Sequence, residues 1–122
     1  MSKSTKNKLS KNSRFEELGD RMKSYEQRFS SRFLPMIPTL IRLDGRAFHS
    51  FTKGMDRPYD ERFRTCMVET MRALVEETNA RCGYTQSDEI TLLLHSDDAK
   101  SQIWFDGRFA KIISQSAALA IL

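Results

Sequence analysis

Two short acidic stretches carry the clearest chemistry in this chain: Asp44-Gly45 and Ser87-Asp88-Glu89. The first closes the apolar, β-branched run Thr39–Leu43 and the second is the turn between two strands of a hairpin, so both are expected at strand ends. If those strands are neighbours, the carboxylates of Asp44 and Asp88 converge on one edge of a sheet. Carboxylates held together repel unless a cation lies between them, and magnesium takes such oxygen ligands while leaving positions open for phosphate oxygens. A glycine beside the first carboxylate lets the backbone approach a ligand closely. The same two stretches also read as ordinary turns, and spacing alone does not decide between turn and metal site. Basic residues flank both: Arg46 and His49 follow Asp44, Arg57 closes the next loop, and Arg108 and Lys111 stand one turn apart near the start of a final helix. An i, i+3 basic pair at a helix start can meet an anion together with the free amides there.

Other chemistries find little support. His49 and His95 are the only histidines, and His95 ends an apolar strand, where a structural role is expected. There is no Walker-type loop, no GxGxxG and no Ser-His-Asp or Cys-His arrangement. Cys66 and Cys82 are too few for a disulfide framework and lack zinc spacing, which makes a reducing, cytoplasmic setting the default. No apolar run approaches the roughly 20 residues of a membrane span, and the opening residues do not read as a signal peptide.

The elements that must position these residues follow from periodicity. Phe15, Leu18, Met22 and Tyr25 recur at helical spacing through about Phe29. Thr39-Leu40-Ile41-Arg42-Leu43 reads as a strand ending at Asp44-Gly45, and residues 46–58 as a loop. Asp60 is an N-cap for the next helix, on which Phe63, Cys66, Met67, Met71, Leu74 and Val75 are expected to share one face, with Asn79 as its left-handed stop. Gly83–Gln86 and Ile90–His95 form a hairpin across Ser87-Asp88-Glu89. A short apolar piece at Ile103-Trp104-Phe105 and the turn Asp106-Gly107 then lead into a last helix from about Arg108. This order predicts an α+β layer with helices on one face of an antiparallel sheet.

Length and charge set the frame. The chain has 122 residues, 39% hydrophobic and 30% charged, with 20 Lys and Arg against 16 Asp and Glu, for a net charge of +4. Five of the basic residues, Lys3, Lys6, Lys8, Lys11 and Arg14, lie in the first 14 positions without an acid, so the rest is near neutral. Residues 1–14 are therefore expected to be a disordered basic tail, able to meet a polyanion through counterion release, and residues 15–122 one domain.

The run Ile41-Arg42-Leu43-Asp44-Gly45-Arg46-Ala47-Phe48-His49-Ser50-Phe51 resembles the first signature of the tRNA-histidine guanylyltransferase family and its 3′–5′ polymerase relatives. Gly83-Tyr84-Thr85-Gln86-Ser87-Asp88-Glu89 resembles the second. Leu18-Gly19-Asp20-Arg21-Met22-Lys23 and Arg57-Pro58-Tyr59-Asp60-Glu61-Arg62 fit the same family in the same order. The resemblance implies a polymerase palm-like, ferredoxin-type core using two Mg2+ ions, with Asp44, the Gly45 carbonyl and Asp88 as metal ligands. It places Asp44, Gly45, Arg46, Ala47, Phe48, His49, Ser87 and Asp88 around a nucleotide, and Arg57, Arg108 and Lys111 on its triphosphate. Glu89 adjoins the metal aspartate without counting as a ligand. The implied activity is nucleotidyl transfer of GMP, or templated nucleotides, in the 3′–5′ direction onto the 5′ end of tRNA, with GTP and ATP as substrates. The full-length form is expected to be a homo-oligomer with no membrane partner. A palm-type nucleotidyl cyclase and a non-catalytic RNA-binding fragment are the alternative readings. The final apolar run Ala117-Ala118-Leu119-Ala120-Ile121-Leu122 has no helix stop. With the length of family members, it leads to the expectation of a palm truncated at its C-terminus and inactive alone.

Overall fold

The computed structural model describes residues 3–121, with side chains described from Ser13 onward. The chain divides into two compact units, Met1–Ser31 and Arg32–Leu122. The first is a single helix, α1 (Lys3–Arg28). It begins twelve residues before Phe15, through the stretch for which the sequence suggests disorder. Residues 3–14 hold no proline or glycine, and extending an existing helix costs far less than nucleating one, so the backbone can continue through lysines, serines and asparagines. The apolar stripe of Phe15, Leu18, Met22 and Tyr25 is exposed, and the Arg28 guanidinium lies 5.7 Å from the Tyr25 ring centroid.

The second unit is α+β. In chain order it contains β1 (Thr39–Asp44), the single turn α2 (Phe48–Phe51), α3 (Glu61–Thr78), β2 (Cys82–Gln86), β3 (Glu89–Leu94), a 3-10 turn (Trp104–Gly107) and α4 (Phe109–Ile121). The strands form an antiparallel sheet in the order β1-β3-β2. Alternation decides which face is covered. Thr39, Ile41, Ile90, Leu92 and Leu94 are buried, and the register sets Ile41 opposite Leu92 and Thr39 opposite Leu94 on that face. Met67 and Leu74 of α3 and Ile112 of α4 complete the core. Each such side chain contributes about 1.5–3 kcal/mol by leaving water.

The approach of α3 to the sheet depends on Gly83. A Cβ there would stand 2.7 Å from Val75 Cγ2 and 2.9 Å from Met71 Cγ, so the helix packs where β2 has no side chain. The caps of α3 follow the sequence: Asp60 accepts from the N–H groups of Arg62 and Phe63, and Asn79 takes a left-handed conformation with φ 53°. One inward expectation fails. Cys66 is exposed, because the buried stripe runs through Met67, Leu74 and Thr78, and Cys66 falls about 100° to one side of Met67.

Candidate functional site

The strand ends bring the two acidic stretches together. Asp44 is the last residue of β1 and lies opposite Glu89, the first of β3. The Gly45 N–H donates to the Asp88 carbonyl at 3.0 Å, which ties the exit of β1 to the hairpin tip. That hairpin closes over only two residues, Ser87 and Asp88, because Gln86 pairs with Glu89. A two-residue connection favours positive φ, and Ser87 adopts it at 55° without being glycine. Backbone held in this region by its surroundings is a recurring property of functional sites.

The carboxylates differ in their partners. Glu89 faces the Arg42 Nε at 3.9 Å. Among the described residues the Asp88 side chain meets only the Ser87 hydroxyl, which donates to Oδ1 at 3.3 Å. Asp44 is exposed, and no hydrogen bond or ion pair occupies its side chain among the described residues. The donor set here is all oxygen: two carboxylates without a cationic partner and the Gly45 carbonyl. No group of three or more His, Cys, Asp or Glu side chains gathers into a metal cage among the described residues. Magnesium needs no such cage, since it is commonly held by one or two carboxylates, waters and substrate phosphates. The residues present fit that ion.

The segment after Gly45 shapes the edge. Ala47 is left-handed (φ 57°, ψ 27°) and starts α2, which the sequence pattern reads only as loop. The turn drives the Phe48 ring inward, where its centroid lies 5.5 Å from that of Phe51 and 5.8 Å from that of Phe63. Phe48 is thus a packing residue under the edge, while Arg46 and His49 stay exposed above it. Gly45 touches the same ring: a Cβ on it would stand 2.2 Å from Phe48 Cδ2. Glycine is required there for space.

Beside the edge lies a groove of about 860 Å³, within the size range of small-molecule sites. Its wall comes from the 52–60 loop (Arg57, Tyr59), the first turns of α3 (Phe63, Met67) and the end of β2 with Ser87. Asp60 also lines it, in a role the sequence shows only as a helix cap. Its side chain is 3% exposed. The Arg62 guanidinium, bonded to it at 3.1 Å, and the Phe63 N–H lower its pKa from 3.8 to about 2. Asp56 N–H also donates to it at 3.3 Å, so one carboxylate fastens the loop to the helix.

Arg108 and Lys111 flank the start of α4. Arg108 precedes α4 instead of starting it (φ −68°, ψ 116°), and its Nε reaches the Phe105 carbonyl at 3.5 Å. Lys111 is exposed in the first turn. Around them Arg32 pairs with Asp106, and the Phe33 N–H donates to the Gly107 carbonyl at 3.0 Å. No hydrogen bond or ion pair among the described residues joins Arg108 or Lys111 to Asp44 or Asp88. His95 accepts at its backbone carbonyl from Arg81 Nε at 3.0 Å.

Comparison with known proteins adds an independent line. The family model described as tRNAHis guanylyltransferase (Thg1) matches residues 19–121. An uncharacterized protein of Acanthamoeba polyphaga mimivirus is 41% identical over 106 residues, covering 81% of this chain and 36% of the viral protein. The tRNA(His) guanylyltransferase of Schizosaccharomyces pombe is 34% identical over 110 residues, covering 88% of this chain and 38% of the yeast protein. Among solved structures, a bacterial tRNA(His) guanylyltransferase (Thg1)-like protein in complex with GTP superposes with a TM-score of 0.74 at 37% identity. That match covers 85% of this chain and 49% of the bacterial one. The chain thus spans between a third and two fifths of these curated relatives and about half of the solved structure.

Proposed function

The chain belongs to the tRNAHis guanylyltransferase family, and from that premise we propose that it is the nucleotide-binding palm of a magnesium-dependent nucleotidyltransferase. The reaction is addition of GMP, or templated nucleotides, in the 3′–5′ direction to the 5′ end of tRNA, with GTP and ATP as substrates. The observation that carries this reading is the Gly45–Asp88 backbone bond, which fastens two carboxylate-bearing segments next to Ser87 of the groove wall. The bacterial relative is known in complexes with GTP and with ATP, which supports a nucleotide as the occupant. The free thiols of Cys66 and Cys82 suit a cytoplasmic setting.

Nucleotidyl transfer needs alignment and charge neutralisation more than a protein nucleophile. Magnesium, when bound, supplies neutralisation of phosphate charge and activation of a hydroxyl. Asp44, Asp88 and the Gly45 carbonyl would hold it. Ser87 and Arg57, both on the groove wall, orient the nucleotide, and Arg57 meets phosphate oxygens through its guanidinium fork. Phe48 and Phe63 pack as an apolar floor beneath this edge, with the Phe48 ring against Gly45.

Calorimetric titration of the chain with GTP tests the assignment. Binding is expected in the presence of magnesium, and is expected to vanish in Asp44→Asn and in Asp88→Asn. Undiminished affinity in both variants would defeat the site. In the same assay Arg108→Ala and Lys111→Ala report whether that pole reaches the triphosphate. A loss of roughly 1–3 kcal/mol is the range for a charge-assisted hydrogen bond, and no loss returns both residues to the solvated surface.

A further inference from the structure

The sheet has a second face. Opposite the covered side, β1 presents Leu40, Arg42 and Asp44, and β2 presents Cys82, Tyr84 and Gln86, all exposed. The register sorts them into rows across the three strands. Asp44, Glu89 and Gln86 form the row at the site edge, and Arg42, Thr91 and Tyr84 form the next. Tyr84 is 62% exposed, although large aromatics on a strand normally bury their rings. Its hydroxyl donates to Gln86 Oε1 at 2.9 Å, which anchors the phenol and leaves the ring face open. Arg42 stands across Thr91 with a side chain 67% exposed.

We propose that this face seats the unpaired end of the RNA acceptor strand, with its terminal base stacked between the Tyr84 ring and the Arg42 guanidinium above Thr91. β1 and β2 are separated by two strand spacings, about 9.5 Å. A planar base in contact on both sides needs about 7–8 Å, so the row can admit one base, and a threonine floor leaves the space open. An exposed aromatic with a nearby arginine on an open sheet is how single-stranded nucleic acid is commonly held, because every base offers a face to stack on. The next row lies about 7 Å along the strands, so an end seated here brings its terminal phosphate towards Asp44.

The arrangement also solves a problem of access, and it rests on the transferase reading above. Two substrates must meet at one edge without competing for the same surface. The groove with Arg57 and Ser87 runs from Phe63, Arg64 and Met67 of α3 to Thr85 and Gln86 at the end of β2, so it meets the sheet at the hairpin edge, whereas Tyr84 and Arg42 stand one row further along the open face. The nucleotide reaches the Asp44 edge from the groove, and the RNA end reaches it along the open face.

The test uses a short single-stranded RNA with a 5′-phosphate and 2-aminopurine as its terminal base. Binding to the chain is expected to quench 2-aminopurine fluorescence through stacking. Tyr84→Ala is expected to abolish the quenching and weaken RNA affinity roughly 5- to 100-fold, whereas Tyr84→Phe retains both. A fully paired duplex is expected to bind without quenching. GTP titration of Tyr84→Ala keeps the two readings separable. Retained GTP binding with lost quenching supports the stacking site, and retained quenching in Tyr84→Ala overturns it. Absence of GTP binding in the unmodified chain counts against the nucleotide site and leaves the fluorescence result to be read by itself.

Discussion

The two ends of β3 obey different rules. Towards its C-terminal half, Leu92 and Leu94 are sealed at 0% and 1% exposure, against Leu74 and Ile112. At its start, the hairpin carries a serine with positive φ, and the neighbouring turn carries a left-handed alanine. Glu89 there has Arg42 beside it, but Asp44 and Asp88 lack cationic partners among the described residues, and Gly45 lies against a phenylalanine ring. One end minimises free energy locally. The other holds charge and backbone strain that only the surrounding structure makes tolerable, which is the pattern expected where ligand binding sets the residue types.

Substitutions at the two ends should therefore have opposite signatures. Leu92→Ala removes a fully buried side chain and is expected to cost about 2–5 kcal/mol, measured by denaturant unfolding. Asp44→Asn and Asp88→Asn, which lose GTP by the reading above, are expected to leave stability unchanged or slightly raised without metal, since each removes a charge from an acidic edge. Unfolding of either Asn variant at much lower denaturant would place these carboxylates in the fold instead of the site.

A paired glycine experiment sharpens the contrast. Gly83→Ala and Gly45→Ala both force a methyl into occupied space, but the occupants differ: Val75 and Met71 of the core for the first, the Phe48 ring for the second. Overpacking of this kind costs about 1–3 kcal/mol. Gly83→Ala is expected to take that loss in stability while retaining GTP affinity. Gly45→Ala displaces the Phe48 ring beneath the proposed metal ligand, and is expected to lose affinity out of proportion to its stability. Equal losses of affinity in the two variants would mean that the edge responds only to global stability.

The same contrast explains what could be read in advance. Strands, hairpin and α3 were legible because burial imprints a period: Thr39, Ile41 and Leu43 alternate, and Phe63, Met67, Met71 and Leu74 recur at three and four. The meeting of the Asp44-Gly45 turn with the hairpin tip at Asp88 was legible as soon as two strand ends were taken as neighbours. The left-handed backbone of Ala47 was not, since nothing in an alanine signals positive φ, and with it α2 and the inward turn of Phe48 were hidden. The groove was equally hidden, because the path of the 52–60 loop decides that Arg57, Tyr59 and Asp60 share a wall with Ser87. Arg108 illustrates a boundary effect: spacing puts it on the helix with Lys111, but the chain is still extended there.

Asp60 belongs to both regions, and its titration separates its two roles. As a cap it satisfies the first amides of α3, and as a groove residue it anchors the loop through the Asp56 N–H. The Arg62 side chain first, and the Phe63 N–H second, hold its folded pKa at about 2, below the ordinary 3.8. A depressed carboxylate pKa stabilises the folded state fully above about pH 4, and that contribution fades as pH falls towards 2. Asp60→Asn keeps an oxygen that can accept from the amides but loses the charge. The variant is therefore expected to melt a few degrees lower than the parent at pH 7, and the gap should close between pH 4 and 2 as the parent is protonated. Circular dichroism melts across that range measure the difference directly. A gap that persists unchanged to pH 2 would mean that the carboxylate acts by shape alone, leaving the ion pair with Arg62 no part in fastening the groove.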